Sequence, residues 1–157
     1  MDEACRPALP ADLTTLAELV EAAVDELTPT KGGAVWARRE AGPLPATDRL
    51  SLAMDDEEHL VVVGTLDDVV VGYGMVHVES VLDGGRLGRI TDIYVLPDAR
   101  GVGVGEELMG AIVSWATDAG CFGVDSLALP GNRATKNFFE THGLVARAIV
   151  VHRSIDR

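Results

Sequence analysis

Along PADLTTLAELVEAAVDEL, apolar side chains recur every three or four positions, at Leu13, Leu16, Val20, Val24 and Leu27. That period predicts an amphipathic helix, with Asp12 where a first-turn acid suits the helix dipole. Residues 28–48 break the period with Pro and Gly around AVWARRE, which predicts one or two helical turns in a mobile loop or a plain connector. The pattern then changes to two β-branched runs, LVVVGTL and VVVGYGMVHVES, around a polar turn at Asp67 and Asp68, which predicts a hairpin. A third run, LGRITDIYVL, is a central strand ended by Pro97. GEELMGAIVSWATDAG returns to the helical period, with Leu108, Ile112, Trp115 and Ala119 on one face and Gly120 as its stop. GVDSLALP predicts a strand, NRATKNFFETHG a short helix capped by Asn132 and stopped at Gly143, and LVARAIVVHR a last strand.

At 157 residues the chain suits one domain over 1–157, and 47% hydrophobic with 24% charged residues is a globular balance. The net charge of -12 argues against sequence-independent nucleic-acid binding, which rests on Lys and Arg. It tilts toward a basic substrate, although acidity also serves solubility. No apolar run approaches the roughly 18 residues of a membrane helix, and MDEACRPALP lacks the order of a secretory signal, so no membrane partner and a cytoplasmic location are expected. Cys5 and Cys121 are far apart with no His cluster near, so neither a metal site nor a disulfide framework is expected.

Candidate chemistry begins at DARGVGVGEELM. A strand ends, an arginine follows, and Gly101, Gly103 and Gly105 lead into a helix, an order that aims backbone N–H groups and a helix N-terminus at one point. Such a point suits a phosphate, and glycine lets the ligand approach the backbone. Glu106 and Glu107 stand where a nucleoside-triphosphatase loop needs Lys and Ser or Thr, and the glycine spacing fails the dinucleotide fingerprint.

RGVGVG resembles the Arg/Gln-x-x-Gly-x-Gly/Ala signature of the GNAT superfamily of acetyl-CoA-dependent acyltransferases, with Arg100, Gly103 and Gly105 at the signature positions. RPALPADLTTLAELV resembles that family's opening strand and first helix, ITDIYVLPDARG its central strand, and LALPGNRATKNFFETHGL its second cofactor motif. The resemblance covers nearly the whole chain in the expected order, with residues 28–60 the least family-like. The resemblance implies an α/β (mixed α+β) GNAT fold: a mostly antiparallel central sheet with splayed parallel central strands, flanked by helices. It also implies acetyl-CoA as cosubstrate without a metal, and direct acetyl transfer to a primary amine. The pyrophosphate would lie on Arg100, Gly101, Val102, Gly103, Val104, Gly105 and Glu106, and the pantetheine on the backbone of Ile93, Tyr94 and Val95. Asn132, Arg133 and Phe139 belong to the second motif, where Asn132 is a pantetheine neighbour, a helix N-cap or both. Lys136 is a further phosphate contact or a solvated charge.

Two departures bear on catalysis. Phe139 stands where the family commonly carries a tyrosine as general acid, with His142 the nearest titratable group. Thr91 stands where the family often carries a carboxylate, and the adjacent Asp92 faces the other way unless a bulge re-aims it. Asp92 is the candidate catalytic base, against a structural role, with Glu79 and His77 in reserve. These departures also admit a GNAT-fold module that senses acyl-CoA without turnover. Trp36, Arg38 and Arg39 would shape specificity if their segment covers the acceptor site. By the same analogy the chain could form a homodimer, with ARAIVVHR pairing across it.

Overall fold

The computed structural model describes residues 1–155. Five strands form one sheet in the order β1-β2-β3-β4-β5: Glu3–Pro7, His59–Leu66, Val69–Ser80, Arg86–Val95 and Gly123–Ser126. β1 to β4 are antiparallel neighbours, and β5 pairs with β4 in parallel. The helices are α1 (Leu13–Leu27), α2 (Gly33–Arg39), α3 (Thr47–Met54), α4 (Val104–Asp118) and α5 (Arg133–Thr141). Together they make a mixed α/β fold with helices on both faces of a mixed sheet.

Strand alternation divides the core in two. Val61, Val63, Tyr73 and Met75 face α1 and α3, where they meet Leu16, Leu19, Val20 and Leu50. Val62, Val76 and Ile90 face α4 and α5, where they meet Leu108, Met109, Ile112 and Phe139. The hairpin turn lies at Asp67 and Asp68, at φ 48° and 66° between the paired Leu66 and Val69, the positive-φ pair of a two-residue turn. The helix stops at Gly120 and Gly143 are left-handed, at φ 78° and 85°.

The structure corrects four local readings. The buried stripe of α1 is Leu16, Leu19, Val20 and Ala23, so the helix is turned slightly from the face first drawn. TDRLSLAM, which begins at the end of the segment read as loop and runs into a stretch with no predicted element, forms α3, because Leu50 and Ala53 fill the face of the sheet beside α1. The strand in GVDSLALP stops at Ser126. LVARAIVVHR forms no strand: residues 144–153 have no ladder partner, and β5 at the sheet edge pairs only with β4. A strand needs a neighbour for its N–H and C=O groups, and pattern alone cannot supply one.

Candidate active site

The parallel pair of β4 and β5 runs only from Leu87↔Gly123 to Ile90↔Ser126, while β4 continues to Val95. Beyond Ile90 the two strands therefore part. Leu96 N–H donates to Val71 O, which makes Gly72↔Val95 a non-hydrogen-bonded pair. Ile93 and Val95 consequently turn their N–H and C=O groups away from β3, into the gap. A cavity of about 390 Å³ fills that gap, bounded by residues 91–95 of β4, by Ser126 and Leu127, and by Asn132 and Phe139.

At one end of the cavity is the glycine loop. Gly101 and Gly103 have φ of 83° and 105°, a region L side chains avoid, and Gly103 is the residue before α4. Glu107 N–H donates to Gly103 O, but among the described residues no acceptor takes the N–H groups of residues 101–106. Six successive free donors at a helix N-terminus fit a pyrophosphate. Arg100 is otherwise engaged: Nη2 donates to both Glu26 carboxylate oxygens at 3.0 and 2.9 Å, Nε donates to Val95 O at 2.8 Å, and the guanidinium lies 5.4 Å from the Tyr94 ring centre. Arg100 thus ties the loop to α1. Burial, and then the Glu26 carboxylate, raise the Tyr94 phenol above its ordinary pKa.

The other end holds a polar group assembled from three elements. Asp92 accepts from Arg49 of α3 at 3.1 and 3.3 Å and from the Tyr73 hydroxyl at 2.6 Å. It is a bulge that brings Asp92 there. Met75 pairs with Asp92 and Val76 with Ile90, so Thr91 is the extra residue on β4. Ile90 packs toward α4, whereas Tyr94 packs toward α1, and the switch of face between them turns Asp92 toward Arg49. Burial, and then the Asp92 carboxylate, push the Tyr73 phenol well above its ordinary pKa. Burial opposes the Arg49 charge, but Asp92 outweighs it and the guanidinium is held more firmly protonated. Gly42 is bare because a Cβ there would lie 2.4 Å from Arg49 Nε. Trp36 and Glu40, from α2 and its end, complete this wall.

Among the residues singled out from sequence, Asp92, Ile93, Tyr94, Val95, Arg100, Gly101, Gly105, Glu106, Asn132 and Phe139 line the cavity. Asn132 Oδ1 accepts from Thr135 N–H at 3.2 Å, a helix cap facing the gap. Arg133 is exposed, and Lys136 pairs with Glu140 along α5. His77 lies on late β3, bonded to Glu79 and stacked on His59, and neither His77 nor Glu79 reaches the cavity. His142 packs on the Phe138 ring, also outside it. Sequence reasoning missed Tyr73, Arg49, Glu26 and Glu40. Tyr73, a lone hydroxyl in an apolar strand, was the one available signal. Among the described residues no cluster of three or more His, Cys, Asp or Glu could hold a metal, and no helix is long and apolar enough to cross a membrane.

Known proteins share this architecture. BH1408 from Bacillus halodurans, as a tetramutant, superimposes with a TM-score of 0.80 at 18% identity, over 96% of this chain and 99% of that one. AAC(6')-Iy in complex with the bisubstrate analogue CoA-S-monomethyl-acetylneamine superimposes with a TM-score of 0.76 at 18% identity, over the whole of both chains. In sequence, thialysine N-epsilon-acetyltransferase from Bos taurus is 31% identical over 74 residues, 47% of this chain and 44% of that protein. The aligned stretch thus spans less than half of that curated relative. The sequence profile of the acetyltransferase (GNAT) family matches residues 18–144, from α1 through the glycine loop to the end of α5. With the loop, the parted strands and the second motif all inside that match, the chain belongs to the GNAT acetyltransferase family.

Proposed function

We propose that the protein is an acetyl-CoA-dependent N-acetyltransferase that acetylates a primary amine by direct transfer, within a single domain. The observation that carries this reading is the run of six unpaired N–H groups at residues 101–106, opening into the gap beside β4. These donors would hold the pyrophosphate of coenzyme A, which a helix N-terminus favours. Ile93 and the Val95 N–H would hold the pantetheine, and Asn132 and Phe139 would form its opposite wall. Acetyl-CoA supplies an activated acetyl thioester open to attack by an amine.

The far end of the cavity receives the amine. At that end Glu40 and Asp92 line the cavity against Arg49, with Arg39 paired to Glu40 from outside the lining, a carboxylate-rich wall that favours a cationic acceptor. Trp36 and Glu40 form the acceptor wall and shape its selectivity. Asp92 acts as a positioning residue, because its oxygens accept from Arg49 and Tyr73. Phe139 gives no proton to the leaving thiolate, and a thiol with a pKa of about 8.5 leaves without one, to be protonated from solvent.

Titration calorimetry with acetyl-CoA and with free coenzyme A tests this. Micromolar binding, near -8 kcal/mol, is expected. The Gly103→Glu variant, which sets a carboxylate at the phosphate cradle, should bind neither. Absence of binding by the unmodified protein, or normal binding by the variant, overturns the reading. Thiol release across an amine panel then identifies the acceptor.

A further inference from the structure

A second cavity, of about 350 Å³, adjoins the first, and the two share Trp36, Glu40, Thr91 and Leu127 as lining. Its other charged residues are Arg39, at the end of α2, and Arg89 of β4. Ile90 packs toward α4, so strand alternation turns the neighbouring Arg89 to the opposite face of the sheet. That is the face of α1, beside which α2 packs.

Arg89 stands on an inner strand with its hydrogen-bonding capacity unmet. Glu79 lies 3.8 Å from its Nε, an ion pair beyond hydrogen-bond reach and outside the cavity lining. Arg6, Arg49 and Arg86 are also partly buried, and each donates to a carboxylate. A guanidinium presents five donors in a planar fork that fits a carboxylate, and partly buried donors of this kind find acceptors. Among the described residues Arg89 has none, and it faces a cavity. Arg39 lines the same cavity and donates to Glu40 Oε1 at 2.7 Å. Two guanidiniums against one carboxylate leave a positive charge over, in a chain with 13 basic and 25 acidic residues. A singly charged carboxylate balances that charge, whereas a phosphate dianion exceeds it.

We propose that the acceptor is an amino acid, or another amine that carries a carboxylate, and that Arg89 with Arg39 binds its carboxylate in the second cavity. The amine then reaches past Trp36 and Glu40 into the first cavity. The shared lining lets one small molecule occupy both. The fate of the amine rests on the enzymatic reading above, whereas the place of the carboxylate does not.

Calorimetry in the presence of free coenzyme A reads binding without turnover. The common amino acids are titrated, each beside its amide and the amine left when its carboxylate is removed, with phosphoethanolamine as the phosphate-bearing probe. The preferred amino acid is expected to bind about tenfold more tightly than its two relatives, the worth of one charge-assisted contact. The same order should appear in KM when thiol release from acetyl-CoA is followed. Arg89→Gln should bring that amino acid to the level of its amide, and Arg89→Lys should keep part of the preference. Should Arg89→Gln not fold, Arg39→Gln, at an exposed position, tests the same cavity. Amino acids bound no better than their amides overturn the proposal. So does a preference that survives both glutamine variants, and so does tighter binding of phosphoethanolamine than of any amino acid. Failure of coenzyme A to bind would strike the enzymatic reading alone, since Arg89-dependent binding of the carboxylate is read separately.

Discussion

Asp92 shows how much one residue's role depends on its neighbours. Its carboxylate is 13% exposed and answers to Arg49 and Tyr73, so it organises the polar end of the cavity. Asp92→Asn should leave acetyl-CoA affinity intact and lower stability by about 1–3 kcal/mol, because Arg49 loses its charged partner. It should lower kcat/KM roughly tenfold and preserve the shape of the pH–rate profile. Disappearance of the ascending limb would instead make Asp92 the base. Asp92 was identifiable in ITDIYVL by its type, but its direction was not, since the extra residue at Thr91 appears only when β4 is set against β3. Arg49 carried no signal at all: its partner lies forty-three positions away, and nothing local to TDRLSLAM links them.

Among the elements, α4 is the one that joins packing to the site. It crosses β2 at Gly64, where a Cβ would lie 2.6 Å from Val104 Cγ1 and 3.2 Å from Leu108 Cγ. Gly64→Ala should therefore destabilise the protein by about 1–3 kcal/mol through overpacking. Val104 is the first residue of α4 and follows Gly103 directly, so the same substitution should weaken acetyl-CoA binding. Urea denaturation and calorimetry read the two effects, and unchanged values of both would show that α4 shifts without cost. The helices with a clear 3.6-residue period, α1 and α4, were legible in the sequence. So were the hairpin and its turn, where Asp67 and Asp68 tolerate positive φ. α3 was not, because its eight residues between proline-rich and acidic stretches form too short a pattern, and it is Leu50 and Ala53 meeting the sheet that hold it.

For the molecule as a whole, the cavity lies where the sheet is least complete, between strands that part and beside a β5 of four residues. A ligand that bridges the loop, β4 and α5 should stabilise this region more than any internal contact now does. Acetyl-CoA at a hundred times its dissociation constant adds about 2.7 kcal/mol, which for a chain of this size raises the melting temperature by about 5–10 °C. Differential scanning calorimetry checks this. Gly103→Glu should show no shift. An unmodified protein whose melting temperature stays fixed with acetyl-CoA would place the loop's ligand elsewhere.

The sequence by itself determined the order of most elements, the family and the phosphate-suited loop, because period, turn chemistry and RGVGVG are local and each acts over a few residues. Only the tertiary structure decided which way Asp92 faces, that Arg49 and Tyr73 meet it, that Arg100 is bound to Glu26, and that the last β-prone segment lacks a partner. Those four facts depend on groups brought together from distant parts of the chain. A hydrogen bond needs both of its ends, and a sequence pattern supplies one.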